Sequence, residues 1–144
     1  MIRLLLSASK RELIHSGNKP GVIKRLLERY EDSTGIIDED PSSSEPRSLQ
    51  RFQEIDSKDN ENHEIKLLFN HATNNRLIVI RPRLEEWILK SSRLAGIDVR
   101  DYNLPRDADR FKELININLD KFEKLLKSLT EKSERLNFLS DLLS

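Results

Sequence analysis

Cysteine is absent from the 144 residues, which removes disulfides, thiolate metal ligands, iron–sulfur clusters and cysteine nucleophiles together and suits a reducing cytoplasm. An excess of one charge is missing too. Lysine and arginine number 25 and aspartate and glutamate 25, so no overall field draws the chain to nucleic acid or an anionic membrane, and such binding must come from a local patch. Long apolar runs are lacking as well. The apolar stretch of MIRLLLSASKR is too short for a secretory h-region, and no later window approaches the roughly 20 apolar residues that a membrane span needs. The expectation is a soluble, cytoplasmic protein without membrane contact. There is no internal repeat, and the length suits one compact domain.

Along the chain, IRLLLSA (residues 2–8) reads as a short helix or the end of one, and a brief strand signal runs from Glu12 to His15. Pro20 sits where a first helical turn tolerates a missing N–H, and Val22, Ile23, Leu26, Leu27 and Tyr30 follow at helical spacing, which predicts a helix from Pro20 to Glu31. Asp32 and Ser33 end it and Gly35 relaxes the chain. Ile36 and Ile37 then enter a strand that stops at Pro41. PSSSEP is a loop, and Leu49, Phe52 and Ile55 mark the apolar side of a short helix. SKDNENHE (57–64) is too polar to bury and reads as an exposed connection. IKLLFN and RLIVIRP are two strands joined by HATNN, whose asparagines tolerate positive φ, which predicts a hairpin. After Pro82 the spacing of Leu84, Trp87, Ile88 and Leu94 is helical and ends at Gly96.

The last third holds no glycine, and no proline after Pro105. Phe111, Leu114, Ile115, Phe122, Leu125, Leu126 and Leu129 repeat at helical spacing, and Leu136, Leu139 and Leu143 continue the stripe. One helix over 107–143 would span about 55 Å at ~1.5 Å per residue, more than a small domain is wide. Either it breaks near Ser128–Ser133 or it projects and pairs with another chain. The order of elements predicts an α/β fold with a small, mostly parallel sheet and flanking helices over residues 1–105. Residues 106–144 form a C-terminal helical segment that packs on it or mediates association.

In α/β sheets ligands gather outside the carboxyl ends of the strands, and TGIIDEDP places Asp38 and Asp40 at such an end. Alternation along an extended chain turns residues 38 and 40 the same way and Glu39 the other. Two carboxylates side by side repel, and a hard cation such as Mg²⁺ relieves the repulsion; the plain alternative is a strand leaving the core through a solvated acidic turn. In RPRLEEWILK, Glu85 and Glu86 fall in a first helical turn, where the helix dipole alone accounts for them, and Trp87 is most simply a core anchor. HSGNKPG joins a strand to a helix start near Lys19, where an anion can be held. It is no P-loop, since G-x-x-x-x-G-K-[ST] is absent. His15, His63 and His71 fit no zinc spacing, and no serine has the context of a nucleophile elbow.

IIDEDP followed, after a loop and two strands, by PRLEEW at the head of a helix resembles the Toprim-like proteins. The likeness is to the RloB type and related small proteins of that superfamily, associated with mobile elements and defence. Their pattern is a first-strand glutamate, an acidic D-x-D after a later strand, and a helix opening F-E-x-W. Asp38 and Asp40 match the acidic pair and Glu85 and Trp87 the glutamate and tryptophan, with Leu84 in place of phenylalanine. The resemblance covers residues 15–95. It implies a Mg²⁺-dependent enzyme acting on phosphodiester bonds of nucleic acid or a nucleotide. Asp38, Asp40 and Glu85 would be the metal ligands, Glu85 the catalytic residue, and Lys19 or Arg83 would steady phosphate. The first-strand glutamate, the family's general acid or base, has no counterpart; Glu12 lies in the wrong place. Either Met1 is an internal start in a longer protein, or the chain is a degenerate relative that has kept the fold and lost the reaction. The other reading is a non-catalytic α/β interaction module, or a homo-oligomer formed through the C-terminal helices.

Overall fold

The computed structural model describes residues 13–14, 23–24, 27–41, 45–117 and 119–143. The helix expected over 2–8 lies outside them, as does Lys19; of the helix expected over Pro20–Glu31, residues 23–24 and 27–31 are described, and 23–24 and 27–28 are helical while Arg29, Tyr30 and Glu31 already lie beyond its end. The chain divides into two compact units, one of Lys10–Arg83 and one that holds Leu84–Ser144. No described helix is long and apolar enough to cross a membrane.

The first unit is built on a sheet of β1 (Leu13–Ile14), β2 (Thr34–Asp38), β3 (Gln53–Glu54), β4 (Ile65–Asn70) and β5 (Asn75–Ile80), in the spatial order β1-β2-β5-β4-β3. The fold is α/β, as expected, but the sheet is mixed rather than mostly parallel. β2 runs parallel to β1 and β5, whereas β4 runs antiparallel to β5 and β3. A hairpin as short as β4–β5 can only be antiparallel, and its partner β3 follows suit.

Alternation assigns the faces. Ile37, Leu68, Leu77 and Val79 share one cluster with Ile23 and Phe52, and Leu27, Tyr30 and Leu49 pack against it. Ile36, Ile65, Leu67, Ile78 and Ile80 fall at the intervening positions and are buried too. A sheet buried on both faces needs near-continuous apolar strands, which is why GIID and RLIVI read as runs rather than alternations. Each fully buried Leu or Ile stabilises by about 1.5–3 kcal/mol relative to exposure.

The hairpin turn spans residues 71–74, and Asn74 takes φ 56° as the sequence predicts. Its neighbour Asn75 is instead the first residue of β5 and fully buried. The buried Asn70 closes the turn, its Oδ1 accepting from the Thr73 N–H at 3.1 Å.

Three local expectations are corrected. Gly35 is a strand residue, paired with Ile14 and Leu77, and not a release point before the strand. Leu49 and Phe52 do pack inward, but through a 3-10 turn at Arg47–Arg51 that runs into β3; Ile55 is exposed at 44 %. The polar stretch 57–64 contains a helix, α1 (Lys58–Asn62). Ser57 starts it, its Oγ accepting from the Asp59 N–H at 3.2 Å, and the Asn60 amide is buried and donates to the Ile55 carbonyl. Capping of this kind offsets the lack of an apolar face.

The second unit is helical: α2 (Leu84–Leu94), α3 (Ala108–Ile117), α4 (Leu119–Lys132) and α5 (Glu134–Leu143). α2 buries Leu84, Glu85, Trp87, Ile88, Ser91 and Ser92. The two serines are tolerated inside because each Oγ donates to a carbonyl one turn back, Ser91 to Trp87 at 2.6 Å and Ser92 to Ile88 at 2.9 Å. Leu94, expected on the buried stripe, is 66 % exposed. Gly96, at φ 73°, closes the helix while the Ile97 N–H returns to the Ser92 carbonyl at 2.8 Å, the bond of a Schellman motif.

The C-terminal stripe is not one long helix. Ser133 interrupts it: its N–H donates to the Leu129 carbonyl to finish α4, and its Oγ accepts from the Leu136 N–H to begin α5. Phe111, Ile115, Phe122, Leu125, Leu126, Leu129, Leu136 and Leu139 are all buried within the single chain. Phe111 of α3 meets Phe122 of α4 edge to face, ring centroids 6.1 Å apart. The guanidinium of Arg135 on α5 lies 4.6 Å from the centre of the Trp87 ring, which ties α5 to α2.

Candidate functional site

The parallel pair β2/β5 sets the position of the acidic turn. Five register pairs hold these strands together, the last being Asp38 with Ile80, so the acids begin where β5 also ends. Beyond that point the backbone stays tethered: the Glu39 N–H donates to the Ile80 carbonyl and the Asp40 N–H to the Pro82 carbonyl, both at 2.8 Å. Asp40 adopts φ 41°. Aspartate is among the few residues that tolerate this left-handed region, and Pro41 follows it.

Strict alternation would turn Glu39 away from Asp40. Instead both line a cavity of about 280 Å³. The cause is the left-handed backbone at Asp40, since the period of two holds only while the chain stays extended. Ile37, Leu49 and Val79 form the apolar side of the cavity, and Glu45 and Lys66 complete its charged residues. Lys66 reaches it because it stands opposite Val79 in the hairpin, on the same face as Leu68. Sequence inspection passed over this lysine, although a charge at an inward position of IKLLFN was a signal in plain view. Glu39 is paired with Arg81, Oε2 to Nε at 2.8 Å, and both side chains are part-exposed. Such a pair contributes about 0–1 kcal/mol to stability and serves chiefly to fix the glutamate.

The remaining site residues fall as follows. Asp38 and Asp40 are half-buried in the first unit and Arg83 is its last residue, also half-buried. Glu85 belongs to the helical unit and is 3 % exposed in the first turn of α2, next to Trp87 at 1 %. Lys19 lies outside the described residues. Among the described residues no group of three or more histidine, aspartate or glutamate side chains is disposed to hold a metal ion. Mg²⁺ keeps several waters and is bound through one or two carboxylates plus the phosphates of a substrate, so a site for it does not require such a group.

No family model matches the chain, and no curated protein or solved structure is found similar to it.

Proposed function

We propose that the acidic turn binds Mg²⁺ through Asp38 and Asp40 and that the protein is a Toprim-like, Mg²⁺-dependent enzyme of phosphodiester bonds in nucleic acid or a nucleotide, or a relative that keeps the cation and has lost the reaction. One observation carries the reading: a tethered acidic turn stands at the common carboxyl end of two parallel strands, the place where α/β sheets take their ligands. Bound there, the cation would supply Lewis-acid stabilisation of charge on a phosphoryl oxygen. The chain's own part is to hold the turn. The two N–H tethers fix its backbone, and the Arg81–Glu39 pair fixes the Glu39 side chain between the two aspartates in sequence. Arg83 and Lys19 remain the proposed phosphate contacts.

Calorimetric titration with Mg²⁺ and Mn²⁺ tests the metal half of this reading, and release of nitrophenol from bis(p-nitrophenyl) phosphate tests the reaction. Saturable binding lost in both Asp38→Asn and Asp40→Asn supports the site. Wild-type hydrolysis that is lost together with metal binding in these variants supports the enzyme; binding without hydrolysis supports the degenerate relative. Absence of saturable binding by the wild type refutes both.

A further inference from the structure

We propose a second site, independent of the acidic turn: the helical unit binds a small molecule that joins an anionic group to an apolar body, seated where α2 gives way to the turn behind it. A cavity of about 400 Å³ opens there, within the roughly 300–1,000 Å³ of small-molecule pockets. Leu89, Ile97 and Val99 supply its apolar wall, and Arg93, Arg106 and Asp98 its charges. The chain makes this hollow for a local reason. Gly96 reverses the backbone, the Ile97 N–H is returned to the Ser92 carbonyl, and the residues that follow are folded back beside the last turn of α2.

Asp98 then organises the cations. It accepts from the Arg100 backbone N–H at 3.0 Å, from Nε and Nη2 of the same arginine at 3.2 and 2.9 Å, and from Nη2 of Arg106 at 2.9 Å. The Arg100 side chain foremost, then its backbone N–H, holds the Asp98 carboxyl well below the usual carboxylate range, so the clamp stays charged at any physiological pH. Its charge is already answered by two guanidiniums, and it therefore positions Arg106 more than it repels an incoming anion. Arg106 spends one N–H of its five on the clamp. The Arg93 side chain, on the same cavity, makes no hydrogen bond or ion pair among the described residues. Among the lining residues Arg93 and Arg106 outnumber Asp98, which leaves the cavity net positive. Guanidinium forks with donors to spare, beside three aliphatic side chains, match a carboxylate or similar anion on an apolar frame.

The test is an amide-resolved NMR titration of the full chain with three probes: phenylbutyrate, the neutral phenylbutanol, and butyrate, which lacks the ring. Phenylbutyrate is expected to shift amides within residues 89–106 saturably. Either missing part should weaken binding about tenfold, the factor of one charge-assisted hydrogen bond or a comparable apolar contact. Arg93→Glu, which breaks no bond of the folded chain, should weaken phenylbutyrate by about the same factor, as should Arg106→Glu. Equal binding of the alcohol, indifference to Arg93→Glu, shifts centred outside 89–106, or no saturable shift at all would each overturn the proposal.

Discussion

Replacing Asn75 by alanine should unfasten the start of β2 from the start of β5. The side chain is fully buried. Its Oδ1 accepts the Ser33 N–H and its Nδ2 donates to the Tyr30 carbonyl, each at 2.8 Å, bridging 42 and 45 residues of sequence. Truncation leaves the Ser33 N–H buried without its partner, at a cost of about 1–3 kcal/mol. The Tyr30 carbonyl, on a half-buried residue, reaches water more easily and adds about 1 kcal/mol at the low end of that range. The sum is about 2–4 kcal/mol. With a urea slope of about 2 kcal/mol per molar, the middle of the usual range, the midpoint should fall by roughly 1–2 M. Urea titration followed by far-UV circular dichroism measures it, and exchange of the Ser33 amide provides the local readout. Asn75→Asp should not rescue: it keeps an acceptor for Ser33 but turns a carboxylate oxygen towards the Tyr30 carbonyl. The exposed Asn74 is bonded to Asp32 and stands at φ 56°, so its replacement by glycine, which tolerates that backbone, should cost less than about 1 kcal/mol. A loss under about 0.5 kcal/mol for Asn75→Ala, or equal losses at 74 and 75, would refute the bridge as the source of order here.

Ser133→Ala should destabilise α5 by about 0.5–1 kcal/mol, since the capping bond to the Leu136 N–H is long at 3.3 Å; thermal melts of helical ellipticity check it, and Ser133→Asp should recover the loss. Gly96→Ala should cost about 1 kcal/mol by the same melts. Nothing lies within 4 Å of the added Cβ, so the whole cost is that of a left-handed backbone at φ 73°. Asp98 should stabilise the folded chain at neutral pH and lose that effect under acid. Its folded-state pKa is depressed by Arg100 and then Arg106, so the contribution is whole above the ordinary carboxylate value near 4 and fades as pH falls below it. Urea midpoints measured between neutral pH and strong acid should therefore fall more steeply for the wild type than for Asp98→Asn.

Most elements of this fold are written in short-range patterns, and what escaped them depended on partners distant in sequence. The β4–β5 hairpin was legible because two apolar runs flank a polar, asparagine-bearing turn. α2 was legible because Leu84, Trp87 and Ile88 repeat at its period and Gly96 stops it. The break at Ser133 was legible only as a length argument, since the serine's double role is visible only once both helix ends are in place. α1 escaped because a five-residue helix with no apolar face carries no periodicity; Ser57 followed by acids was the signal that remained. The mixed sheet escaped because strand direction leaves no mark in a strand's own residues. At the acidic turn, the place of Asp38 and Asp40 at a strand end followed from the sequence, but the meeting of Glu39 and Asp40 on one cavity did not: a single positive φ at Asp40 interrupts the alternation. The stacking of Arg135 on Trp87 joins residues 48 apart and had no local signature at all.

Paramagnetic broadening by Mn²⁺ tests the central claim most directly, because it locates the cation without requiring turnover. The account predicts that substoichiometric Mn²⁺ broadens the amides of residues 38–40, of Ile80, which accepts from the Glu39 N–H, and of Arg81, which is paired with Glu39, and that excess Mg²⁺ or Asp40→Asn restores them. Broadening centred elsewhere, or spread evenly over the exposed acids and unchanged by Asp40→Asn, would contradict it.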